Sequence, residues 1–289
     1  MKEIVKEKIA SLLSGDEEIH SVEQLGGMTN QNYLVQTSSN QYIVKFFGKG
    51  TDKLIDRQNE KFNLELLKDL KLDVENYLFD IEAGIKVNQY IENAETLNLD
   101  TIKTRFEKIA PILQTIHASG KELKGEFAPF EEIKKYESLI QGEIYYPNYE
   151  AVRKSVLSLK NELEEIGIEK KSCHIDLVPE NFIEGPDGHL YLIDWEYSSM
   201  NDPMWDLAAL FLESEFTPEE EENFLAHYES EKTPVSRQKI RIYKILQDII
   251  WSLWTIYKEE NGADFGDYGI SRYNRAVKEL DFKGGSHEN

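Results

Sequence analysis

A single cysteine, Cys173, denies the chain an intramolecular disulfide and any cysteine-rich zinc site. Placed directly before His174, it reads as a buried packing residue rather than a nucleophile. Basic residues are also scarce: 33 lysines and arginines stand against 54 aspartates and glutamates, a formal charge of −21. Such a surface repels nucleic acid and anionic lipid headgroups, so neither is expected as a partner. A cationic small molecule would be drawn in, although a well-solvated surface accounts for most of the charge. No apolar run reaches the length of a membrane span. Residues 1–13 set Ile4, Val5, Ile9, Leu12 and Leu13 at helical spacing among charges, unlike the unbroken apolar stretch of a secretory signal. A cytoplasmic protein without membrane insertion is therefore expected.

A chain of 289 residues suffices for one large core or for two lobes with a cleft. Apolar alternation predicts strands over residues 19–25, 33–36 and 41–47, a helix over 54–70, and strands over 77–80 and 85–90. An Asn- and Glu-rich stretch, 92–98, reads as a hinge. Helical spacing then dominates at 99–118, 130–141, 149–166, 203–213, 218–228, 236–259 and 270–280, with a hairpin at 182–193 interrupting the run. Strands first and helices later predict an α+β fold with lobes over 1–92 and 93–289. Residues 284–289 read as a frayed tail.

The chemistry-bearing pattern is His174-x-Asp176-x-x-x-x-Asn181, followed by the hairpin and then Asp194. Alone, the first motif is short enough to be an ordinary surface turn. Asp194, however, follows apolar residues and precedes Trp195, a poor setting for a carboxylate without a compensating cation. Strand, Gly185-Pro186-Asp187-Gly188 turn and strand would bring Asn181 and Asp194 together. This order resembles the catalytic loop and metal-binding Asp of protein kinases, where one carboxylate faces the attacking hydroxyl. There an amide and a second carboxylate hold the metal on the ATP phosphates. On that pattern Asp176, Asn181 and Asp194 are the catalytic candidates, with Asn181 and Asp194 the ligands for Mg²⁺.

The same pattern asks the first lobe for a phosphate-covering loop, a strand lysine and a helix glutamate. Gly27, Met28, Thr29 and Asn30 suit the loop, although Gly-Gly before Thr-Asn also makes a plain hairpin turn. Lys45, among Ile43, Val44, Phe46 and Phe47, needs a partner unless it faces solvent on an edge strand. Glu60 on the next helix is preferred to Glu65 as the ion-pair partner that holds it against the ATP phosphates. Gln89, Tyr90 and Ile91, with Met28, are candidates for the adenine end, or else plain core strand.

Between about Leu25 and Tyr273 these residues resemble the choline/ethanolamine kinases, within the two-lobed fold shared with aminoglycoside phosphotransferases and protein kinases. The most specific stretch is Leu192-Ile193-Asp194-Trp195-Glu196-Tyr197-Ser198-Ser199 with Asn201 and Asp206-Leu207-Ala208, and the match is closest to bacterial choline kinases. One departure is Ile175, where the family often has Asn; it bears on loop packing and leaves the base and metal ligands in place. The resemblance implies a small antiparallel-sheet lobe, a larger helical lobe, ATP and Mg²⁺ as cofactors, and choline as substrate. It also assigns an aromatic box to Trp251, Trp254, Phe265 and Tyr268, with Glu196 and Glu213 adding charge complementarity and Asp194 and Tyr197 beside the substrate. A quaternary ammonium has no N–H donors and is held by aromatic faces. From spacing alone, Trp251 and Trp254 read as core. Asp206 and His174 read as braces of the catalytic loop. The competing expectations are a kinase of the same fold for ethanolamine, an aminoglycoside or another small alcohol, and an inactive nucleotide-binding scaffold.

Overall fold

The computed structural model describes residues 2–9, 12, 13, 17–26, 30–48 and 50–284. Its strands in chain order are β1 (Ile19–Gln24), β2 (Gln31–Thr37), β3 (Gln41–Phe46), β4 (Asn76–Asp80), β5 (Ile85–Gln89), β6 (Glu95–Thr96), β7 (Lys171–Cys173), β8 (Phe182–Glu184), β9 (Leu190–Leu192) and β10 (Ser199–Asn201). Its helices are α1 (Lys2–Ile9), α2 (Arg57–Leu67), α3 (Phe106–His117), α4 (Pro129–Leu139), α5 (Tyr149–Ile166), α6 (Pro203–Glu213), α7 (Pro218–Tyr228), α8 (Arg237–Glu260) and α9 (Tyr268–Gly284). They fall into two compact units, Met1–Thr101 with Pro179–Tyr197, and Ile102–Val178 with Ser198–Asn289.

In the first unit, β1 to β5 form an antiparallel sheet in the order β1-β2-β3-β5-β4. Alternate residues on one face, Tyr33, Val35, Tyr42, Val44, Ile85 and Val87, pack with Val5 and Ile9 of α1 into the core. The register pairs Val44 with Val87 and, one residue on, Lys45 with Lys86. The side-chain period of two puts both lysines on the other face, directly opposite each other. Like charges so placed are unfavourable, so that face calls for carboxylates. Helix α2, capped by Asp56 accepting from the Gln58 and Asn59 N–H groups, supplies one. Its inward face is largely polar: Phe62 is 40% exposed, while the buried stripe is Arg57, Glu60, Asn63 and Leu67. A polar stripe turned inward satisfies charged neighbours rather than a hydrophobic core.

The hairpin of β8 and β9 adds to β6 in a second sheet, β6-β8-β9. Its turn uses Gly188 at φ 79, a left-handed conformation that glycine adopts freely. The Leu192 N–H also donates to the Leu72 carbonyl at 2.8 Å. With these bonds the first compact unit runs to Thr101 and takes in the later segment Pro179–Tyr197, whereas a single boundary after residue 92 was expected.

The second unit is helical apart from β7 and β10, an antiparallel pair whose three-residue strands are too short to show alternation. Helix α8 is its centre, buried on most sides from Lys239 to Tyr257 and packed against α4, α5, α6 and α9. Side chains define the helix starts: Asp202 caps α6 with Pro203 in its first turn, Thr217 and Glu220 form a capping box on α7, and Ser236 caps α8. The helix expected over 99–118 begins only at Phe106, because Arg105 is non-helical at φ −122 and ψ 19 after a short 3₁₀ turn at Ile102–Thr104. Among the described residues no helix is long and apolar enough to cross a membrane.

Candidate active site

In the first unit the sheet face carrying Lys45 and Lys86 becomes a buried ionic network. Lys45 Nζ donates to Asp194 Oδ1 at 2.6 Å, and Lys86 Nζ donates to Glu60 Oε1 at 2.8 Å. Arg57 Nη1 donates to Glu60 Oε2 at 2.6 Å and to Glu196 Oε2 at 2.9 Å, and its Nη2 donates to Asn30 Oδ1 at 3.0 Å. Asn30 Nδ2 donates to the same Glu196 oxygen at 2.7 Å. Expected partners are thus redistributed: Lys45 is bound directly by Asp194, while Glu60 is taken by Lys86 and Arg57. The cross-strand register explains this, since Lys86 occupies the position opposite Lys45 and competes for the helix carboxylate.

Burial by itself would depress the Lys45 ammonium, but Asp194, Glu196 and Glu60 outweigh it and hold the group above its ordinary range. For Glu60 burial acts upward and is overcome by Lys86 and Arg57, which keep the carboxylate below its usual range. Glu196 is pushed up, first by burial and then by the nearby Asp194 charge. Asp73, in the turn before β4, is pushed up to about 7, chiefly by burial against the opposing pull of Lys86.

Asn181 and Asp194 meet across the base of the β8–β9 hairpin, where the Ile193 N–H donates to the Asn181 carbonyl at 2.8 Å. Asp194 sits at φ 67, a conformation unusual for a non-glycine residue and costing on the order of 1–3 kcal/mol. Trp195 Nε1 donates to the Leu192 carbonyl at 2.8 Å and so holds the turn that follows. An amide oxygen and a carboxylate are hard oxygen donors of the kind that Mg²⁺ takes, and the side chains here fit such an ion. Gln89 ends β5, its N–H donating to the Glu75 carbonyl at 2.8 Å, and Tyr90 and Ile91 follow it, half-buried. Gly27, Met28 and Thr29 lie outside the described residues; on their flanks the Leu25 N–H donates to the Asn32 carbonyl and Asn32 Nδ2 to the Gly26 carbonyl.

In the second unit Asp176 follows β7 on a loop braced from α6. The Asp206 carboxylate accepts from the His174 and Ile175 N–H groups, each at 2.8 Å, and stands 3.1 Å from His117 Nε2. Trp205 Nε1 donates to the Ile175 carbonyl at 3.1 Å. Ile175 is left-handed at φ 79, a strained state for a β-branched side chain. Asparagine tolerates that conformation better, which gives the departure at Ile175 a physical meaning. The cap of α6 is Asp202, so Asp206 braces the loop without capping the helix.

The aromatic residues of the second unit form a chain of contacts. Trp251 meets Trp254 edge-on at 6.4 Å, Trp254 meets Phe265 at 4.9 Å, and Phe265 meets Tyr268 at 6.5 Å. The Trp254 Nε1 donor is buried without a hydrogen-bond partner. Tyr268 is pushed well above its usual range by burial, with Arg272 opposing and the Glu213 and Asp176 charges adding to the rise. Of this aromatic set, Tyr268 is the member that the Asp176 charge affects. Glu213 was expected to face a cationic substrate, but its carboxylate accepts from Arg272 Nη1 at 2.6 Å, and the same guanidinium nitrogen donates to the Tyr268 hydroxyl at 2.8 Å. Glu196, expected beside it, is buried in the first unit on Arg57 and Asn30, and Tyr197 follows it there.

Sequence reasoning passed over Arg57, Lys86 and Arg272. Lys86 was visible as a charge inside an apolar strand, and Arg57 as a charge following a cap residue. Nothing local marks Arg272, whose partners Glu213 and Asp248 come from α6 and α8.

The crystal structure of the choline kinase LicA from Streptococcus pneumoniae is 74% identical, with a TM-score of 0.95 over 98% of this chain and 99% of that one. A crystal structure of LicA in complex with AMP is 75% identical, with a TM-score of 0.92 over 97% and 98% of the two chains. The LicA protein of Haemophilus influenzae is 30% identical over 275 residues, 91% of this chain and 81% of that protein. The fold is protein-kinase-like, with a sheet-rich N-terminal region and a helical remainder. The sequence profile described as choline/ethanolamine kinase matches residues 22–277, and with that span the chain belongs to this family of phosphotransferases.

Proposed function

We propose that the protein transfers the γ-phosphoryl group of ATP to the hydroxyl of choline, giving phosphocholine and ADP. The observation that carries this reading is the likeness over almost the whole chain to a protein named choline kinase. Within the second unit, the Trp251, Trp254, Phe265 and Tyr268 set supplies aromatic faces of the kind a quaternary ammonium requires, and the Asp176 charge affects Tyr268.

Asp176 accepts the proton of the choline hydroxyl as its oxygen attacks the γ-phosphorus and the bond to the bridging oxygen of ADP breaks. Lys45, kept cationic by its carboxylate neighbours, neutralises phosphate charge. Asn181 and Asp194 would hold Mg²⁺, which when bound spreads the charge of the phosphates. Gln89, Tyr90 and Ile91 would border the adenine end, and Asn30 is the described member of the sequence segment assigned to the phosphates. The need for ATP makes the cytoplasm the expected compartment, with choline the small-molecule partner.

The test is formation of phosphocholine from choline and MgATP, matched one to one by ADP. The Asp176→Asn variant should lose about 10²–10⁴-fold in kcat while its ADP affinity stays within twofold. Full turnover in that variant removes Asp176 from the role of base.

A further inference from the structure

Arg57 occupies an unusual place: the first residue of α2, 7% exposed, with three separate parts of the first unit on one guanidinium. One nitrogen binds Glu60 of its own helix and Glu196, two residues beyond Asp194. The other binds Asn30, at the start of the chain that leads into β2. Arg57 Cζ lies over the Phe47 ring, 4.1 Å from its centroid, just past the strand that carries Lys45. Asn30 closes the circuit, since its amide donates to Glu196 and its oxygen accepts from the Gly48 N–H at 3.3 Å. The fixed fork of an arginine can bridge three acceptors in one plane and stack on an aromatic face, which the point charge of a lysine cannot.

We propose that Arg57 is a positioning residue of the nucleotide site, fixing the segment Asp194–Glu196 against Asn30 and the Gly48 backbone through Glu196 and Asn30. The inference rests on the phosphotransferase reading above and deepens it. It also gives Glu196 a different task from facing a cationic acceptor: its carboxylate is the handle by which α2 holds the Asp194 segment. Lys45, Lys86 and Arg57 balance Asp194, Glu60 and Glu196, so removing Arg57 leaves one buried carboxylate uncompensated as well as the geometry loose.

Calorimetric binding of ADP without metal, together with thermal unfolding, separates these two effects. In Arg57→Lys, ADP affinity is expected to fall about tenfold, with the choline KM within twofold of wild type. In the double variant Arg57→Met with Glu196→Gln, charge balance is restored, so the thermal midpoint should return toward wild type while ADP affinity stays weakened about tenfold. If ADP affinity recovers along with the fold, Arg57 only balances charge and the proposal is overturned. Unchanged ADP affinity in Arg57→Lys overturns it as well. Failure of the wild-type protein to bind ADP both without and with Mg²⁺ would instead count against the phosphotransferase reading, a separate and distinguishable result.

Discussion

Lys45 and Lys86 face each other across β3 and β5, and the carboxylates that offset their repulsion, Asp194 and Glu60, come from distant points in the sequence. Single residues in this region are therefore set by long-range charge balance. Asp73 illustrates the consequence. With its carboxyl raised by burial from 3.8 to about 7, the folded protein keeps a proton that the unfolded chain releases across that interval. Its contribution to stability is thus complete below about pH 4 and is lost as pH rises through about 7. Asp73→Asn, neutral throughout, should raise the thermal midpoint at pH 8 by a few degrees and flatten its fall between pH 5 and 8. Equal slopes for variant and wild type would contradict this. At residue scale the motif residues Asp176, Asn181, Asp194 and Lys45 were legible, since each is a charge or amide in an otherwise apolar or turn setting. The cations that hold Glu60 and Glu196 were not, because Arg57 and Lys86 reach those carboxylates only through sheet register and helix placement.

Element by element, the helices of the second unit were read well from spacing and caps, as at α6, α7 and α8. Short strands were not: β6, β7 and β10 have two or three residues, too few for a period of two to appear. Helix α2 was legible as a helix but its buried face was not, because Arg57, Glu60 and Asn63 turn inward beside Leu67 while Phe62 is exposed. Helix α8 packs along its length, and its Trp254 meets both Trp251 and Phe265, which in turn meets Tyr268. Each aromatic face offered to a desolvated cation is worth about 0.5–2 kcal/mol, so Trp254→Ala should raise the choline KM by roughly 2- to 30-fold. ADP affinity should move less than twofold in the same protein. A parallel loss of both would show that Trp254 acts only through packing.

For the molecule as a whole, the acidic surface and the two compact units are properties of the full sequence rather than of any motif. The α+β class followed from strands preceding helices, but the passage of Pro179–Tyr197 into the first unit did not, because strand pairing with β6 is a non-local event. That passage places Asn181 and Asp194 in the unit that also carries Lys45. The central claim is that this enzyme selects a quaternary ammonium alcohol by aromatic faces. It is tested most directly by kcat/KM for ADP release with MgATP and choline, ethanolamine or an aminoglycoside as acceptor. Choline should exceed the others by about tenfold or more, the scale of one or two such contacts. Equal or better turnover with a primary amine would keep the phosphotransferase and contradict the aromatic selection.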